Sequence, residues 1–154
     1  MSTDKSEQLT HDPSRDDLVA GVGDDGLVTV RSGLSVPDTI DRIVATVTSR
    51  GMQVFARIDH AGAAAHVGLT LRPTELLIFG NPTGGTPLMQ DKQTAGLDLP
   101  LKVLAWEDAD SAVWLTYNDL AWLARRHGLG ANSRVALAAI TAAMATLSAA
   151  VVPP

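Results

Sequence analysis

The chain contains no cysteine. Disulfides, zinc ribbons, iron–sulfur clusters and thiol catalysis are therefore excluded together. Aromatic residues are scarce, at 4%, so a core built from this chain is aliphatic and rich in alanine. An excess of positive charge is missing as well, since the net charge is −5. A nucleic-acid-binding face leaves a basic footprint, and overall there is none. What the chain does have is 45% hydrophobic residues over 154 positions, enough for one domain with a single sizeable core.

The acidity is local. Residues 1–26 hold seven acids (Asp4, Glu7, Asp12, Asp16, Asp17, Asp24, Asp25) and two bases, Lys5 and Arg15, which accounts for the whole net charge. The same stretch is poor in large apolar residues and buries too little surface to offset its ordering entropy. It reads as a disordered acidic leader, followed by a single domain over residues 27–152. The leader has neither the basic start nor the apolar run of a secretory signal, which points to the cytoplasm.

The domain opens with a short strand, Leu27 to Val30. A helix follows, with Ser35 as N-cap, Pro37 in the first turn and Asp38 completing a capping box. Val36, Ile40, Ile43, Val44 and Val47 recur at helical spacing, and Gly51 ends the helix. Residues 52–58 alternate as a strand, with Met52, Val54, Ala56 and Ile58 on one side and Phe55 on the other. His60 to His66 is a short Ala-rich turn or helix, and Glu75 to Phe79 a second compact strand. A Gly/Pro-rich loop, Gly80 to Gly85, leads to a short helix capped by Thr86, with Pro87 at its first position and Gly96 as its stop. Leu101–Trp106 and Ala112–Tyr117 form a hairpin around an acidic turn. Asn118 caps a helix whose last turn carries Arg125, Arg126 and His127, and Gly128 ends it.

Residues 135–152 carry no charge, which approaches the length of a membrane span. Their large residues are nevertheless ordered: Leu137, Ile140, Met144, Leu147 and Val151 recur at intervals of three and four. That is one packing stripe, expected to lie across a sheet, and no membrane is implied. The small alanines on the other face permit a contact between subunits. The element order, with strands clustered late, predicts an α+β fold with a mainly antiparallel sheet and helices on one face, in the core order β-α-β-β-β-β-α.

Chemistry is most legible around Phe79-Gly80-Asn81-Pro82-Thr83-Gly84-Gly85-Thr86-Pro87. A strand runs into a Gly-rich loop that opens a helix, an arrangement that offers unpaired N–H groups and a positive dipole end to an anion. It is not a Walker loop, because Thr86-Pro87 stands where Lys and Ser or Thr would be needed. The bland alternative is a tight turn. The histidines give no chelating pair, since His60 and His66 are six apart. Glu107 and Asp108 are adjacent and point to opposite sides of a strand, so they are no acid–base pair. No Gly-x-Ser-x-Gly elbow occurs. A metal held by His60, His127, Met89 or Glu107 would have to be assembled by the fold, and neither metal nor cofactor is expected.

Several of these segments together resemble one family. Phe79-Gly80-Asn81-Pro82, Gly85-Thr86-Pro87-Leu88-Met89, Leu99-Pro100-Leu101-Lys102, Glu107-Asp108 and Trp114-Leu115-Thr116-Tyr117-Asn118 occur in order. With Ile58-Asp59-His60-Ala61 and His127-Gly128, they are similar to the domain of unknown function 302, over roughly residues 27–150. The resemblance implies a small α+β domain with a curved antiparallel sheet, similar to the half-domain of the TATA-binding protein, and a tendency to form homodimers. It implies no DNA binding. It also places Tyr117 near the Gly-rich loop, because both belong to the family's motifs. Trp106 and Trp122 read as core or dimer interface.

The resulting expectation is a cytoplasmic, homodimeric, non-enzymatic small-molecule-binding or sensing domain. Its small anionic or apolar ligand would meet Gly80, Pro82, Gly85 and Thr86, with His60, Asn81 and Tyr117 as polar contacts and Phe79 and Met89 as the apolar wall. One alternative is an enzyme with His60 as general base and Asn81 or the loop amides stabilising negative charge. The other is a dimerisation module without a ligand.

Overall fold

The computed structural model describes residues 19–20 and 22–154. Most of the expected leader lies outside the described residues. Within it, Val19–Ala20 form a first short strand, β1, which pairs with Val30 and Thr29. The sheet thus begins on the N-terminal side of the boundary expected at residue 27.

Five further strands, β2 (Leu27–Ser32), β3 (Gln53–Asp59), β4 (Thr74–Gly80), β5 (Leu101–Glu107) and β6 (Val113–Asn118), complete an antiparallel sheet in the order β1-β2-β6-β5-β4-β3. The helices are α1 (Val36–Ser49), α2 (His60–His66), α3 (Pro82–Asp91), α4 (Leu120–His127) and α5 (Arg134–Ala149). The α+β class with a mainly antiparallel sheet holds.

α1 starts as its sequence dictates. The Ser35 Oγ accepts the Asp38 N–H at 3.2 Å and donates to the Asp38 carboxylate at 2.7 Å. Its stripe of Val36, Ile40, Ile43 and Val47 is buried against one side of the sheet, where Leu77, Phe79, Val103, Ala105 and Leu115 are also buried. Full burial of one such aliphatic side chain contributes about 1.5–3 kcal/mol, so this interface carries much of the core.

Four local expectations are corrected. In β3 the pairing steps from Val54↔Phe79 to Ala56↔Ile78, so Phe55 is the extra residue of a bulge. Val54 therefore shares the covered side with Phe79, while Ala56 and Ile58 share the opposite side with Ile78 and Leu76. The N-cap of α4 is Asp119, not Asn118, and its carboxylate accepts the Trp122 N–H at 3.0 Å. α3 begins at Pro82, with Gly84, Gly85 and Pro87 inside it, rather than at Thr86. Finally, α5 packs chiefly on α1, α3 and α4 rather than across the sheet. Its Ile140, Met144 and Leu147 are buried there. Among the described residues no helix is long and apolar enough to cross a membrane.

The side of the sheet away from α1 carries Leu76, Ile78, Leu104, Trp106 and Trp114, all half-buried. Trp106 and Trp114 stack with ring centroids 6.4 Å apart, and the Trp106 indole N–H donates to the Thr116 Oγ1 at 2.9 Å. At one edge Gly26 lies directly under Trp122. Its φ is +76°, and an added Cβ would sit 2.3 Å from the indole ring, so only glycine fits.

Candidate functional site

The segment expected to be a ligand-seeking loop is the first turns of α3. Asn81 is the N-cap, with extended backbone, and its Oδ1 accepts the Thr83 N–H at 2.9 Å. The Asn81 carbonyl accepts the Gly84 and Gly85 N–H groups at 2.9 and 3.0 Å. Pro82 has no N–H to offer. The amides expected to face an anion are therefore used up by Asn81 itself. The glycines take helical rather than left-handed backbone conformations.

A half-open groove of about 840 Å³ lies beside this helix start. One wall is α3, from Asn81 to Met89. The second is α5, through Val135, Ala136, Ala139, Ile140 and Ala143. The floor combines Phe55, Gly80 and the Leu99–Leu101 segment, and Arg50 and Met52 close one end. The glycines of α3 let it lie close to its neighbours: a Cβ on Gly84 would lie 4.0 Å from the Ile140 Cγ1 of the α5 wall, and one on Gly85 3.8 Å from the Leu99 Cδ1 of the floor.

Asp91 ties the two walls together at one end. At the C-terminus of α3 its Oδ2 accepts the Gly130 N–H at 2.8 Å and the buried Ser133 hydroxyl at 2.7 Å, just ahead of α5. The Ser133 hydroxyl, then the Gly130 amide, hold the Asp91 carboxyl below its ordinary value. The floor is fastened by Lys102, whose ammonium donates to the Asp98 and Pro100 carbonyls at 3.3 and 3.0 Å. Burial pushes that ammonium's pKa down.

Of the site residues expected from sequence, Gly80, Asn81, Pro82, Gly85, Thr86 and Met89 line this groove together. Three do not. Phe79 is wholly buried in the core. Tyr117 pairs with Val28 on β6 and packs into the core, away from the groove. His60 is exposed at the start of α2, at the opposite end of β3 from the Gln53↔Gly80 pair, about 20 Å distant at strand rise.

The residues considered for a metal are not brought together. His127 is held between the Asp98 carboxylate at 2.5 Å and the Thr94 hydroxyl at 3.1 Å. Met89 lies in the groove and Glu107 at the far end of β5. Among the described residues no group of three His, Asp or Glu side chains could hold a metal ion.

Residues 28–147 match the family model of the domain of unknown function DUF302. The chain belongs to the DUF302 family. A crystal structure of an uncharacterised DUF302 protein from Bacillus stearothermophilus shares the fold, with a TM-score of 0.72 and 18% identity over 82% of this chain and 98% of that one. The chain is also 52% identical over 145 residues to the fluoride-specific ion channel FluC 1 of Brucella suis, and equally so to FluC 1 of Brucella abortus. These matches cover 94% of this chain and 56% and 53% of the two relatives. The chain thus spans about half the length of these curated relatives.

In this DUF302 domain, sequence reading missed Arg50, Phe55, Asn132 and the α5 wall. A signal for the last was there: a helix with no charge beyond its first residue must be covered on more than one side or border an apolar space. Arg50 and Phe55 had no such mark, because the register and bulge of β3 bring them to the groove.

Proposed function

We propose that this domain is a non-enzymatic small-molecule-binding module whose site is the groove between α3 and α5. Gly80, Asn81, Pro82, Gly85, Thr86 and Met89 contribute to it. The observation that carries this reading is the lining itself. The volume lies within the usual range for ligand sites, about 300–1,000 Å³, and the walls are mostly aliphatic with a few polar groups at the rim. Among the described residues no histidine or carboxylate lines it. General acid–base chemistry needs such a group within reach of the substrate, so binding fits better than catalysis through His60.

The test uses the amphipathic anionic dye 1-anilinonaphthalene-8-sulfonate, whose emission rises in apolar surroundings. One dye per chain should bind with enhanced emission, and Ala139→Leu, which fills the groove from an exposed helix position, should abolish it. Dye binding unchanged in that variant would refute the assignment.

The likeness to the Brucella channels supports a second element. A channel needs spanning helices or a closed barrel, and among the described residues no helix is long and apolar enough to cross a membrane. We therefore place the channel activity named for those relatives with the half of their length that this chain does not match. We read the DUF302 domain as a cytoplasmic companion module to membrane ion transport.

Two copies would pair through the open side of the sheet, where Trp106, Trp114 and Leu104 are half-buried and Ile58 is exposed. Sedimentation at micromolar concentration should give a dimer, and a single species of monomer mass would refute the pairing.

A further inference from the structure

We infer that the groove's ligand is an amphipathic monoanion, with its head group at Arg50 and an unbranched apolar body lying along α5. The inference rests on the groove being a ligand site and concerns which chemistry it selects.

The charge argument is simple. Arg50 is the one ionisable side chain among the described residues that line the groove. Its guanidinium has no ion pair among the described residues, in contrast to Arg57, which is held by both Asp41 and Glu75. A cationic head group would meet no carboxylate in this lining and would be repelled by Arg50.

The position of the head follows from register. Gln53 pairs with Gly80, so the residues just before Gln53, Arg50 and Met52, lie beside those just after Gly80. These are Asn81, Pro82 and Thr83, the start of α3. The ten-residue α3 thus directs its positive dipole end toward the same place as the Arg50 charge. The Asn81 cap occupies the amides and weakens that field, so Arg50 is the main source favouring an anion at this end.

The shape of the body follows from α5. Asp91 ties the C-terminus of α3 to the start of α5, and Gly84 near the start of α3 faces Ile140 further along α5, so the two helices run antiparallel. The start of α3 therefore faces the Ala143 end of the α5 wall, and the groove runs from there back to Val135. Eight residues of helix span about 12 Å. Along that distance the α5 wall offers only methyl, methylene and backbone surface. The opposing wall offers Met89, a flexible side chain suited to an unbranched chain. Apolar burial supplies most of the affinity, and the exposed Arg50 contributes selectivity for charge.

The experiment measures binding of decanoate, 1-decanol and decyltrimethylammonium by calorimetry below their aggregation concentrations. It uses the full chain and its Arg50→Gln and Ala139→Leu variants. Decanoate should bind one per chain, about fivefold more tightly than decanol, the factor expected from one exposed charge pair. Decyltrimethylammonium should bind more weakly than either. Arg50→Gln should bring decanoate down to the level of decanol without changing decanol. Decanol or the ammonium binding as tightly as decanoate, with Ala139→Leu abolishing both, would overturn the head-group assignment and leave the groove standing. If no probe binds, or if binding is unchanged in Ala139→Leu, the groove reading falls as well.

Discussion

The Asp91 carboxylate and the Ser133 hydroxyl, 2.7 Å apart, tie the end of one helical wall of the groove to the start of the other. The hydroxyl is buried and has this carboxylate as its acceptor. Ser133→Ala should therefore cost about 1 kcal/mol, the usual net value of one hydrogen bond. Urea unfolding would measure it, and an unchanged midpoint would show that the tie bears no load.

The acid limb of stability should be set by two carboxylates. Asp91 is held below its ordinary value by the Ser133 hydroxyl and the Gly130 amide. Asp108 is held down chiefly by the Trp114 indole N–H at 2.7 Å, then by backbone amides. A carboxyl depressed on folding binds fewer protons in the folded state than in the unfolded one. Its contribution is complete above the unfolded value of about 3.9 and is lost as pH falls through the folded value. Melting temperature should be flat with respect to these groups above about pH 5 and fall below pH 4. In the Asp91→Asn, Asp108→Asn double variant that fall should be shallower. An identical acid limb in both proteins would refute the assignment.

Glycine-to-alanine changes should have opposite signs at two places. Gly26 has positive φ and no room beneath Trp122, so Gly26→Ala should destabilise by about 1–3 kcal/mol. Gly84 and Gly85 are helical and meet only ordinary contacts at 3.8–4.0 Å. Gly84→Ala and Gly85→Ala should each stabilise by about 0.5–1 kcal/mol. Thermal or chemical unfolding of the three single variants checks this, and a loss at Gly84 would contradict the helical assignment.

Asn81 and His60 should separate cleanly. Asn81→Ala removes the cap on Thr83 and should lower stability by about 1 kcal/mol. His60→Ala, at an exposed position far from the groove, should change neither stability nor dye binding. Loss of dye binding in His60→Ala would return that residue to the site.

Most elements were legible because their signals are local. The Ser35 capping box, the stripe of α1, the β5–β6 hairpin and the Gly128 stop all depend on residues within a few positions of one another, and each formed as read. Short-range signals failed where two local readings competed. The helix expected from Thr86-Pro87 starts earlier, where the Asn81 Oδ1 caps the Thr83 amide and the Asn81 carbonyl takes those of Gly84 and Gly85. Asp119 likewise displaced Asn118 one position away, with a carboxylate that reaches the Trp122 amide.

The groove depended on tertiary structure. Gly80, Asn81, Pro82, Gly85, Thr86 and Met89 are neighbours in sequence and stayed neighbours in space. His60 and Tyr117 were grouped with them only through shared family motifs, and the strand register sets them apart. Arg50 and the α5 wall joined instead, through an antiparallel pairing, one bulge and a carboxylate tie spanning some forty residues. Helical periodicity and caps are encoded over about one turn of chain. Which faces finally meet depends on how all the apolar stripes are buried together, and no local pattern carries that information.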